Sequence, residues 1–171
     1  MSAEDLAGRI EQALAERQID FTRKEESGRD SAHFVVELPG EKKLKTVALL
    51  SVGEHGVRVE AFVCRHADEN HEGVYRYLLR RNRRLYGVAY TLDDAGDIYL
   101  TGRFAVETFD DAELDRVLGQ VLEAADADFN VLLELGFSES IRREFDWRVA
   151  RGESLANLVP FQHLLPEFPQ D

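Results

Sequence analysis

The sequence predicts an α+β fold, an antiparallel sheet covered by helices, in the order α-β-β-β-β-α-β-β-α-α. Three observations carry that prediction. From Ile19 to Leu92 the apolar pattern has period two, with Phe34, Val36 and Leu38 set against His33, Val35 and Glu37, as in strands with one buried side. Turn-forming groups, Pro39-Gly40 and Gly53-Glu54-His55-Gly56, cut this stretch into short runs that pair as hairpins. The helical stretches are too few to supply the crossovers of a parallel sheet.

Taken in order, Ser2 with Asp5 forms a capping pair, and Leu6, Ile10, Ala13 and Leu14 recur at helical spacing, so a first helix runs to about Gln18. Strands follow at 19–26, 31–38, 44–52 and 57–65 as a meander. Asp68-Glu69-Asn70 offer capping oxygens and negative charge to a helix ending near Leu85, with Val74, Tyr77, Leu78 and Leu85 inward. Strands at 87–92 and 98–106 make a second hairpin about Asp93-Asp94-Ala95-Gly96-Asp97. Asp110 with Glu113 opens a long helix, and its Leu114, Val117, Leu118, Val121, Ala125, Phe129 and Leu132 form one apolar stripe that ends near Gly136. A shorter helix starts at Ser138, with Ile141, Phe145 and Val149 four apart, and Arg151-Gly152 closes it. Residues 1–152 are thus expected to form a single domain. Residues 153–171, with Pro160, Pro166 and Pro169, form a tail that packs on the domain or is partly disordered.

A chain of 171 residues is long enough to bury a core without disulfides or metal staples. Its formal net charge of -12 argues against a nucleic acid or an anionic membrane surface as partner. Cys64 is the one cysteine, so no intrachain disulfide forms, which suits a reducing cytosol. The acidic opening Met1-Ser2-Ala3-Glu4-Asp5 lacks the basic and apolar regions of a signal peptide, and no stretch approaches a membrane span. A cytoplasmic location is expected.

The run Asn70-His71-Glu72-Gly73-Val74-Tyr75-Arg76-Tyr77-Leu78-Leu79-Arg80-Arg81-Asn82, then Leu85-Tyr86-Gly87-Val88-Ala89-Tyr90, Gly96-Asp97-Ile98-Tyr99-Leu100 and the acidic helix opened by Asp111, resembles the YbjN family of bacterial proteins, labelled sensory-transduction regulators. The resemblance covers residues 44–147. It implies the fold of type III secretion chaperones and homodimerisation through sheet and helix surfaces. It carries no catalytic motif to transfer, and nothing is transferred to the closing residues.

Several constellations admit a functional and a purely structural reading. Arg76, Arg80, Arg83 and Arg84 fall near one face of the middle helix, with Arg81 beside it, in an otherwise acidic chain. They either receive a phosphorylated or carboxylate-rich ligand or pair with the chain's own acids. Tyr75, Leu79 and Tyr86 fall off that helix's inward stripe, and Trp147 falls off the stripe of the last helix; one of these sets should be covered by another surface, a second copy or residues 155–168 of the tail. Cys64, His66, Asp68 and His71 have the chemistry of a zinc site but not its spacing, so Cys64 reads as a small buried strand residue and Asp68 as a helix cap. Asn82 is placed to satisfy backbone groups where helix turns into strand. No glycine-flanked nucleophile and no phosphate-cradling loop is present, so no catalytic residue, metal or cofactor is assigned. The expected function is a non-enzymatic protein-interaction module, chaperone-like or a regulatory adaptor, whose partner is another protein or a second copy. The alternative is a sensor that binds a phosphorylated metabolite or nucleotide through the arginine-rich helix.

Overall fold

Helix α1, Ala3–Glu16, begins with a complete capping box: Asp5 N donates to Ser2 Oγ at 3.1 Å, and the Asp5 carboxylate accepts from Ser2 N at 3.1 Å. The computed structural model describes residues 1–25 and 30–170. Strands β1 (Asp20–Lys24), β2 (Asp30–Pro39), β3 (Lys45–Gly53) and β4 (Gly56–Cys64) then form the meander. The expected end of the first strand at Glu26 lies outside the described residues. Helix α2, His71–Asn82, follows, then β5 (Ala89–Leu92) and β6 (Ile98–Phe104), α3 (Asp111–Gly136) and α4 (Ser138–Arg151). A 3₁₀ helix, Ala156–Leu164, crosses the tail. The expected α+β order therefore holds.

All six strands join one antiparallel sheet in the order β1-β2-β3-β4-β6-β5. Because α2 intervenes between β4 and β5, the second hairpin returns with β6 against β4, and β5 becomes an edge. The inward rows, among them Phe34, Val36, Leu50, Val52, Val59 and Leu100, share a core with Leu6, Ile10 and Leu14 of α1 and with Leu114, Val117, Val121 and Ala125 of α3. Each of the Val, Leu, Ile and Phe side chains among them contributes roughly 1.5–3 kcal/mol when fully buried. On the opposite face of the sheet Val47 and Phe62 remain exposed.

Four expectations need correction. Asp68 and Glu69 do not cap α2, whose N-cap Asn70 sits in the left-handed region at φ 49° without a side-chain cap. Asp68 instead takes a paired hydrogen bond from Arg65 at 2.7 and 3.0 Å and one from Ser140, while Glu69 accepts the backbone N–H of Glu139 and so caps α4. Helix α2 stops at Asn82 because Arg83 N and Arg84 N bond three residues back, tightening its last turn before Leu85. The following strands shorten to match: β5 begins only at Ala89, and β6 ends at Phe104. In α4, Ile141 and Phe145 are buried but Val149 is 41% exposed. Each four-residue step overshoots a helical turn by about 40°, so the stripe has rotated away by Val149.

The tail lies on the protein. Leu158 and Phe161 are buried with Ile141 and Phe145, and Leu155, Leu164, Leu165 and Phe168 pack beside them in a second, smaller cluster. Among the described residues no helix is long and apolar enough to cross a membrane.

Candidate interaction surface

The inner side of α2 is tied to the body by a carboxylate. Asp128, 3% exposed on α3, accepts hydrogen bonds from Tyr77 Oη at 2.6 Å, Tyr90 Oη at 2.6 Å and Arg81 Nε at 2.8 Å. One buried charge thereby joins α2, α3 and β5. The ion pair with Arg81 and two phenol donors compensate the cost of taking the carboxylate out of water. Burial, reinforced by the bond to Asp128, pushes both phenols above the ordinary tyrosine range. Next to this network, Asn82 Oδ1 accepts from Tyr90 N at 2.7 Å and Asn82 Nδ2 donates to Tyr90 O at 3.2 Å. The amide thus imitates a neighbouring strand at the edge of β5, the backbone role its position suggested.

The outer side of α2 is built differently. His71, Tyr75, Arg76, Leu79, Arg80 and Arg83 line a shallow surface depression. Leu79 is 68% exposed. Arg76 bonds Glu72 one turn earlier at 2.7 Å, an exposed pair of small worth. Arg80 and Arg83 make no ion pair among the described residues. Tyr75 is half-buried, its ring 6.1 Å from that of His71.

Other sequence candidates fall elsewhere. Arg84 lies beyond the helix and outside the depression. Tyr86 is 49% exposed, but its hydroxyl donates to the Glu113 carboxylate of α3, and its N–H donates to Gln120. Glu113 also takes Arg116 at 2.6 Å. It therefore serves these side chains, and only the Asp110 half of the expected capping pair forms. Trp147, 46% exposed, lies under the Arg151 guanidinium at 4.9 Å and lines a separate depression with Ser140, Arg143, Glu144 and Arg148.

Cys64 is buried, and burial pushes its thiol up to about 11. The His66 and His71 rings stand 5.1 Å apart, with His71 Nε2 2.8 Å from Ala67 O. Among the described residues no three His, Cys, Asp or Glu side chains converge as a metal site. Asp93 Oδ1 accepts from the N–H groups of Ala95 and Asp97, so the acidic loop closes on itself as a turn.

Two features escaped the sequence reading: the Asp128 network, and an apolar cavity between β4, α3, α4 and the 3₁₀ helix. Asp128 had a visible signal. Ala125, Asp128 and Leu132 are spaced three and four apart, which puts the carboxylate in the apolar stripe, and Tyr77 and Arg81 share one face of α2.

The YbjN family model, described as "Putative bacterial sensory transduction regulator", matches residues 7–134. Similar proteins include Rv0487 of Mycobacterium tuberculosis H37Rv, 62% identical over 157 residues that cover 92% of this chain and 86% of that protein. ML2442 of Mycobacterium leprae is 59% identical over 158 residues, with the same coverage. Among solved structures, a chain of the heterodimeric ExoU-SpcU complex from the type III secretion system of Pseudomonas aeruginosa superposes with a TM-score of 0.50 at 17% identity, over 75% of this chain and 98% of that one. A chain of the HopA1-SchA chaperone-effector complex gives 0.51 at 11% identity, over 71% and 90%. At such identities the likeness is one of fold. On the match over residues 7–134 and the identity of its relatives, the chain belongs to the YbjN family, built on a type III secretion chaperone-like fold.

Proposed function

We propose that this protein is a non-enzymatic, cytoplasmic protein-interaction module, chaperone-like or a regulatory adaptor of the YbjN type. In this reading it works as a homodimer, and the outer face of α2 is its binding surface. One observation carries the proposal: Leu79 is 68% exposed in the same depression as Arg80 and Arg83, cations that make no ion pair among the described residues. In a chain of net charge -12 there is no shortage of carboxylates to neutralise them, so their standing apart favours an external acid partner. Arginine and aromatic side chains around an exposed leucine have the composition of an interface core. The structural neighbours come from protein complexes, which supports the same class of role.

The ligand best suited to this face is an amphipathic segment that offers an apolar side chain to Leu79 and carboxylates to Arg80 and Arg83. A second copy of this acidic chain is one possible source. Light scattering of the purified protein is expected to give twice the chain mass. A labelled, acidic amphipathic helical peptide is expected to bind, with polarisation lost at high salt. The double variant L79D/R80E should abolish peptide binding while leaving the circular dichroism and the melting temperature unchanged. A monomer that ignores the peptide would overturn the reading.

The sensor alternative draws less from the geometry, because Arg84 lies outside the depression and Arg76 holds Glu72. A panel of phosphorylated metabolites that raises the melting temperature of the wild type, but not of R80A, would favour it.

A further inference from the structure

The apolar cavity lies apart from the α2 face. It measures about 530 Å³ and is walled by Phe62 of β4, Phe129 and Leu133 of α3, Ile141 of α4, and Leu158 and Phe161 of the 3₁₀ helix. That volume lies within the range of small-molecule sites. The last three walls lie beyond residues 7–134, so the cavity exists because the chain continues past the part that matches the family model.

Lys43 stands among the lining residues. The turn that carries it is pinned by Asp126 of α3, whose Oδ1 accepts from Lys42 N at 2.8 Å and from Lys43 N at 2.9 Å. Lys43 Nζ donates to Lys45 O at 3.1 Å and to Phe62 O at 3.3 Å, and it sits 5.8 Å from the centre of the Phe62 ring. An ammonium has three donors; two meet neutral carbonyls, and no carboxylate pairs with it among the described residues. The other charged groups on the lining are committed elsewhere. Arg65 holds Asp68 and stacks on Phe137 at 4.4 Å, and Glu144 holds Arg148 at 2.6 Å. Burial depresses the Lys43 ammonium, a cost that an arriving anion would relieve.

We propose that this cavity binds an amphipathic monoanion, a long-chain carboxylate whose headgroup pairs with Lys43 Nζ and whose hydrocarbon lies against Phe129, Leu133, Ile141 and Phe161. A single uncommitted cation matches one negative charge, and the apolar lining matches a hydrocarbon tail. The proposal goes beyond the α2 reading and uses none of its residues.

Calorimetric titration of the full chain with dodecanoate below its micellar concentration tests it, with dodecanol as the tail-only control and acetate as the headgroup-only control. Saturable binding of one dodecanoate per chain is expected, with acetate inert. K43Q should weaken dodecanoate roughly ten- to hundredfold, the scale of one charge-assisted hydrogen bond, while leaving dodecanol unaffected. K43R should retain binding. L133W, which fills the cavity, should abolish both ligands, and R80E should change neither. Absence of saturable dodecanoate binding, or equal affinity in K43Q and the wild type, overturns the proposal. So does peptide binding that depends on Lys43 in a protein that ignores dodecanoate, since the cavity would then belong to a protein interface.

Discussion

Arg80 and Arg81 are adjacent in the sequence and carry the same guanidinium, yet α2 delivers them to opposite environments. Arg81 is directed against Asp128 beside two tyrosines; Arg80 faces outward beside an exposed leucine, without an ion-pair partner among the described residues. The inner set converges on Asp128. The outer set is left open. A single residue step, about 100° around the helix, thus separates a buried joint from an open surface. Substitutions that follow this division should show stability and binding to be separable properties of a single helix.

The largest effect is expected on the inner side. In D128A the carboxylate disappears, Tyr77 loses its acceptor, Tyr90 is left with Ala124 O at 3.1 Å, and Arg81 is left with Glu123 at 3.5 Å. Hydrogen bonds to a charged group are worth about 1.5–3 kcal/mol each, so losing three of them should cost about 3 kcal/mol or more, readable as a lower urea midpoint with little change in slope. A loss no larger than that of a surface substitution would break the comparison, because the joint would then be ornamental.

Alkaline pH probes the same joint without mutation. The folded-state phenols of Tyr77 and Tyr90 are raised by burial and by the bond to Asp128. In the unfolded chain tyrosine ionises near pH 10. The sign follows: this contribution is fully present below that value and is lost as pH rises through and beyond it. Absorbance titration of phenolate should therefore show part of the tyrosine signal appearing only with unfolding, and D128A should release it earlier. Complete, reversible titration of all tyrosines near pH 10 in folded protein would contradict the geometry.

A smaller loss belongs to Asn82. N82A leaves the N–H and C=O of Tyr90 without the side-chain partner that covers them at the edge of β5. The cost should be about 1–3 kcal/mol, and hydrogen exchange at Tyr90 should accelerate while exchange in β3 and β4 stays slow.

These contrasts also show what was legible in the sequence. The sheet was, because alternation at period two in Phe34, Val36 and Leu38 admits one buried face. The apolar pattern carries α2 three residues too far, since Leu85 packs against the core although the helix has already stopped. Asp68 and Glu69 have the look of caps for α2, but Asp68 pairs with Arg65 and also takes Ser140, and Glu69 takes the N–H of Glu139, the last two some seventy positions away. Asp128 is hard to single out because a carboxylate in an acidic chain carries little information, although its spacing places it in the apolar stripe. The cavity was beyond reach, because it is assembled from the turn at Lys43 and four separate elements that only the tertiary fold brings together.

The smallest effect, and the one that separates the two faces most sharply, is expected from R80A/R83A. Neither guanidinium meets an ion-pair partner among the described residues, so removal forfeits no compensated charge, and each change should alter stability by less than about 0.5 kcal/mol. The chain is acidic, so the two arginines also lower its overall self-repulsion, and a slight loss that shrinks with added salt is the direction to expect. Binding of the acidic peptide should nonetheless fall, and with it the salt dependence of that binding. A double variant as destabilised as D128A would mean that the outer arginines are paired in solution, and that the open side of α2 is closed after all.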